Sequence, residues 1–289
     1  MKTFLCMTCA GLLLTLSSMS QSWRIPVASP GWGAMAYSRQ FFDPTATRAN
    51  AAALSQVDQV AESVYGDRAF MLSPAQTIYA MAAAPALSGV CALSCSLAGY
   101  PDFHEYDLGF AYARTLGANS SLGLRCGYCG LHIPGYFNAG AVETEISVLF
   151  RPMEKFTLGL QICNPFGAAL GKKGAERLPT LIGFAFGYDF SASFYLGCVI
   201  QKIRGHPPGV NPTLHFQPTP ALGFEAGLET TRGMVWFAPV FRFGRMQLRV
   251  NVSRHPTLGF SQGLGILCKF HSGRKESADK NEIRKTQDL

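Results

Sequence analysis

The feature that most constrains this chain is a two-residue alternation of large and small side chains. In residues 106–113, Tyr106, Leu108, Phe110 and Tyr112 alternate with Asp107, Gly109, Ala111 and Ala113. Successive side chains of a strand project to opposite faces, so such a segment has one bulky apolar face and one small or polar face. The pattern returns at 156–163, 182–190, 222–229 and 246–253. Further strands are expected at 57–66, 75–85, 88–99, 120–132, 141–151, 192–203, 233–243 and 257–270, thirteen in all. Most are about ten residues long, the length with which a tilted strand crosses a bilayer. Connections near 119–120, 152–154 and 191–192 are short, whereas Gly/Pro-rich links at 165–178 and 204–219 are long. That asymmetry suits a transmembrane barrel.

A soluble β-sandwich also alternates, but its outward face needs roughly a quarter to a third charged residues. Here charged residues are 15% of the chain, and the small faces are mostly Gly, Ala and Ser. Bulk toward lipid and small or polar groups toward a lumen is the better solution. The expected fold class is all-β: an antiparallel transmembrane β-barrel of about 12–14 strands with a short N-terminal helical or plug segment. A soluble secreted β-sandwich binding protein is the competing architecture. A mean hydropathy of +0.13 is too low for a bundle of membrane helices, and the composition excludes disorder, coiled coil and collagen. Ile78 to Gly99 is uncharged and long enough for a helix, yet it contains Pro85 and Gly89. It reads as two strands turning between Pro85 and Gly89.

Four regions are expected. Residues 1–20 read as a signal peptide, with Lys2, an apolar run from Phe4 to Leu16 and small residues at Ser18 and Ser20. Residues 21–56 form the N-terminal plug segment, 57–270 the barrel, and 271–289 a charged, disordered tail. Removing the signal leaves Cys91, Cys95, Cys126, Cys129, Cys163, Cys198 and Cys268, an odd set without a disulfide framework.

Motifs for chemistry are weak. Cys126 and Cys129 have C-x-x-C spacing, but in a strand positions i and i+3 face opposite sides, so the thiols point apart. Gly167 to Lys173 is one residue short of a phosphate loop. The histidines lack metal-ligand spacing, and the net charge of +7 is dispersed, which argues against nucleic acid. No enzyme, cofactor or metal is expected. The functional candidates are polar groups on the small faces: Asp107, Arg125, Glu143, Glu145, Gln161, Asp189, Glu225, Glu229 and Arg249. They would face the lumen and set solute preference, or else pair with one another and with the plug.

The order of several short motifs resembles a known family. Gly31-Trp32-Gly33-Ala34-Met35, Asp43-Pro44-Thr45-Ala46 and Asn50-Ala51-Ala52-Ala53-Leu54 are similar to the start of the PorV/PorQ branch of the FadL-like outer-membrane proteins of Bacteroidetes. Ile162-Cys163-Asn164-Pro165, Arg177-Leu178-Pro179-Thr180 and Leu258-Gly259-Phe260-Ser261 follow in the same order. The resemblance implies a barrel of about 14 strands in outer-membrane lipid, with Asn50 at the family's plug asparagine position. It implies a transporter of small or hydrophobic solutes, or a closed barrel serving as an accessory of a type IX secretion system, with secretion components as partners. Where the family has Asn-Pro-Ala-Gly, both Pro and Gly are Ala here. Thirteen strands also conflict with an even-numbered closure, and the missing strand is expected between Leu228 and Leu258.

Overall fold

The computed structural model describes residues 32–72, 75–100, 102–135, 137–170 and 176–270. Its wall is a closed antiparallel barrel of fourteen strands. In chain order they are β1 (Val60–Arg68), β2 (Gln76–Ala86), β3 (Gly89–Tyr100), β4 (Phe103–Thr115), β5 (Ser120–Ile133), β6 (Phe137–Met153) and β7 (Phe156–Cys163). After a two-stranded hairpin, β8 (Ala169–Leu170) and β9 (Glu176–Arg177), the wall resumes. It continues with β10 (Leu181–Ser191), β11 (Phe194–Ile203), β12 (Gly209–Thr219), β13 (Leu222–Glu229), β14 (Met234–Phe243), β15 (Met246–His255) and β16 (Gly259–Phe270). Each wall strand pairs with its sequence neighbour, and β1 pairs with β16 from Val60 opposite Phe270 to Arg68 opposite Gln262. Closure leaves no free edge, so the ladders run from strand to strand all the way round the wall.

The alternation expected from sequence determines which way the wall faces. Leu108, Phe110, Leu160, Ile162, Ile182, Phe184, Phe190 and Val252 are exposed on the exterior, while Asp107, Gly109, Ala111, Thr157, Gly159, Ala185 and Asn251 are buried inside. The bulky faces are therefore not enclosed between two sheets. Cys126 is exposed and Cys129 buried, on opposite faces. None of the described helices is long and apolar enough to cross a membrane; the strands supply the crossing surface.

The strand missed from sequence is β12, not one between Leu228 and Leu258. Pro212 and Pro218, with Pro207, Pro208 and Pro220 close by, mark this stretch as a loop, because proline cannot donate to a ladder. Pro212 is accommodated because the β12–β13 ladder ends at Thr213, leaving it paired only with Cys198 of β11. A second correction concerns the first hairpin. Pro85 lies within β2, and the turn is Leu87-Ser88 alone, both at positive φ (53° and 59°). That is the two-residue turn whose twist matches the flanking strands.

All turns preceding β3, β5, β7, β11, β13 and β15 lie at the end where β1 begins and β16 finishes; this is the turn end. At the opposite, loop end, 164–170 and 176–180 pack back on the wall. Leu170 and Leu178 pack on inward-facing Cys129, Ala139 and Ala141. Asn164, at φ 52°, anchors the fold-back through Leu178 O at 2.6 Å and Ala168 N at 3.0 Å.

Candidate functional site

The interior is filled by the segment before β1. A one-turn helix α1 (Trp32–Met35) leads to two short 3-10 turns, Pro44–Arg48 and Ala51–Gln56. Asp43 caps the first turn by accepting from Thr45 N at 2.9 Å, and Asn50 caps the second by accepting from Ala52 N at 3.0 Å. Asx side chains make these bonds readily, which fixes helical starts in segments too short to be helical alone. Between the caps the residues are small, and smallness lets the backbone lie against the wall. A Cβ on Gly123 would collide with Ala52 N, and one on Gly159 with the Tyr37 ring. Met35, Ala36, Tyr37, Ala52 and Ala53 pack with Leu149, Ala185, Tyr195 and Val199, while Ala51 and Leu54 pack with Tyr65, Tyr79 and Met81. The plug thus touches inward faces from β1 round to β11.

The sequence-selected polar residues meet this plug in two clusters. In the first, Arg125 pairs with Asp107, and also with Glu143 at 3.6 Å. Arg48 of the plug faces Glu143 at 3.6 Å and Glu145 at 3.9 Å. Glu145 accepts from Ala51 N at 2.8 Å and is bonded by the Gln161 side chain. Two guanidinium groups face three carboxylates, and the Ala51 N–H adds positive potential at Glu145. In the second cluster Glu225 takes Arg249 at 2.5 Å and His215 at 3.1 Å. Plug residue Asp43 takes Arg249 at 3.9 Å and accepts from Gln247 Nε2 at 2.8 Å.

Asp189 stands apart from both, accepting from Ser38 Oγ at 2.6 Å and Arg39 N at 3.0 Å. Glu229 is not buried with the rest; it pairs with Arg232 at 3.3 Å near the loop end. Asn50 is fully buried and donates to Leu160 O at 3.3 Å. Burial pulls the Arg48 guanidinium toward its neutral form, but Glu143, Asp107 and Glu145 outweigh that and hold it well above its ordinary value. Burial raises the Tyr37 phenol, so neither group changes charge at physiological pH.

Asp43, Arg48, Ser38, His215 and Gln247 were not singled out from the sequence. Arg48 carried a usable signal, as a lone cation inside the small-residue run Thr45 to Ala53. Above the plug, toward the loop end, lies a cavity of about 80 Å³. Its floor is Gly33, Ala34, Arg48 and Ala49, and its wall comes from β7 and β10–β14. Among the described residues no group of three or more His, Cys, Asp and Glu is placed to hold a metal ion.

Solved structures resemble this closed fourteen-strand wall in fold. The fold is similar to that of solved outer-membrane barrels of the FadL type. The CymD monoaromatic hydrocarbon channel matches with a TM-score of 0.63 at 9% identity, over 86% of this chain and all of that one. The Ralstonia pickettii toluene transporter TbuX matches at 0.57 and 8%, over 80% of this chain and 94% of that one. A Pseudomonas aeruginosa FadL homologue matches at 0.52 and 10%, over 85% and 96%. At these identities the likeness is one of fold. No protein-family model and no curated protein sequence matches the chain.

Proposed function

We propose that the chain is a non-enzymatic outer-membrane channel that passes small hydrophobic solutes, with the plug as its gate. The observation that carries this reading is the way the plug is held. Beside its apolar packing on the wall, its directional contacts are ion pairs and hydrogen bonds from Ser38, Asp43, Arg48, Asn50 and Ala51, not a continuous chain of strand pairing. Such contacts are individually worth about 0.5–3 kcal/mol and can be exchanged one by one as the segment moves. The solutes named for the similarly folded channels support the hydrophobic class. Asp107, Arg125, Glu143, Glu145, Gln161, Asp189, Glu225 and Arg249 then serve as the seat of the gate, with Asn50 as a further anchor to the wall. The reading is tested by uptake of a radiolabelled monoaromatic into cells lacking other FadL-type proteins. Uptake that does not depend on this chain sinks it.

A second reading follows from the same plug. The burial of most of it favours a permanently closed barrel, which is the accessory role that the PorV/PorQ resemblance implies. A plug that never leaves gives no conductance under any solute gradient, and co-purification with secretion components or cargo then replaces transport as the expected result.

A further inference from the structure

The lining of the cavity above the plug is unlike a hydrocarbon site. Its wall carries the amides of Gln161, Gln201 and Asn211 and the hydroxyl of Thr213, set against the Trp236 ring. Trp236 is 4% exposed, Thr213 3% and Gln161 5%. Asn211 Oδ1 and the Nε and both Nη atoms of Arg48 are buried without a hydrogen-bond partner. A bare hydrocarbon occupying this space would leave those groups dry, whereas a ligand oxygen satisfies them.

The charge balance selects among oxygen-bearing ligands. Arg48 already faces two carboxylates, and Glu229 at the rim is neutralised by Arg232. An added carboxylate would meet the excess negative charge of the first cluster, and an ammonium would meet the guanidinium groups. What remains is a neutral molecule with an O–H to donate toward an amide oxygen and a lone pair to accept from N–H groups. The volume limits its size: 80 Å³ is about half of the roughly 150 Å³ apolar cavity that takes benzene, so a small alcohol fits within it and a single ring fits only with part of it in the open mouth.

We infer that this cavity is a selectivity site for small neutral alcohols and phenols, preferred over hydrocarbons of the same shape. The inference rests on the channel reading for its biological meaning but not for its test. Phenol and toluene differ by OH against CH₃ on the same ring. The experiment measures binding of each to detergent-purified, heat-modifiable protein by isothermal titration at matched free concentration. Phenol is expected to bind saturably and at least tenfold more tightly than toluene. Asn211→Leu and, separately, Thr213→Val bring the ratio toward one without weakening toluene. Either variant suffices, and the gel shift shows that it is folded. Equal affinity for the two rings, no binding of either, or an unchanged ratio in both variants overturns the inference. Selective phenol binding without phenol uptake would leave the site standing and remove the channel. Uptake without selectivity would do the reverse.

Discussion

Replacing Arg48 by Met tests whether the plug is held electrostatically. The two side chains are similar in length, so packing against the Ala-rich turn is largely kept while the cation is lost. Glu143 and Glu145, 3.6 and 3.9 Å away, then face only Arg125, and the cluster goes from two cations against three carboxylates to one against three. Breaking a buried pair by removing one partner costs about 3–5 kcal/mol. The wall cannot relieve this, because its strands are fixed in their ladders, but the plug can withdraw and let water reach the carboxylates. A shift of that size changes the ratio of seated to released plug by roughly two to three and a half powers of ten. Planar-bilayer recording reads the outcome: wild type mostly closed, Arg48→Met with frequent or lasting openings. Heat-modifiable gel mobility confirms that the barrel itself persists. Adding Glu145→Gln removes one carboxylate and is expected to restore much of the closure. Currents indistinguishable from wild type, with unchanged thermal stability, would falsify the electrostatic seat.

Gly123→Val places carbon where Ala52 N lies and is expected to unseat the plug as effectively, whereas Gly66→Ala, whose nearest neighbour would be Thr77 O at 3.8 Å, should leave currents unchanged. Asp189→Asn weakens the bonds to Ser38 and Arg39. A loss of about 1–2 kcal/mol should raise opening frequency by one power of ten or so in the same recordings. Leu160→Arg puts a charge on the lipid face and should cost about 2–4 kcal/mol if the residue sits near the midplane, read by urea unfolding in liposomes. Among the thiols, Cys95 and Cys126 should react with a lipid-soluble maleimide in the folded protein, while fully buried Cys129 reacts only after unfolding.

What was legible in the sequence was orientation. The alternation in 106–113 says that Asp107 and Tyr106 point opposite ways, and one such statement per strand gives an inside and an outside. It does not say which strands face each other across the lumen. Asp43 meets Arg249 and Gln247 only because a closed wall returns β15 to the neighbourhood of β1, a relation that local periodicity does not contain. β12 was missed for a local reason: its prolines obey the turn statistics better than the strand ones. The hairpin within 164–180 was read as a plain link because two-residue strands are too short for periodicity, and the burial of Leu170 and Leu178 comes from the face they cover. The plug's charged partners hid in a run of alanines whose role is to be thin.

The pairing of β1 with β16 also has a bearing on assembly. The wall cannot be completed until its last strand is in place, and the plug immediately precedes the first one. A segment threaded inside a ring must be inside before the ring is shut or pass through its mouth afterwards, and here 164–170 and 176–180 pack back on the wall at the loop end. The natural order is for the chain to be gathered around its own N-terminal segment, with Phe270 zipping onto Val60 as the final event. The residues that seat the plug would then act during biogenesis as an internal template, and a variant that loosens them would be recognisable by slow closure as well as by leakage.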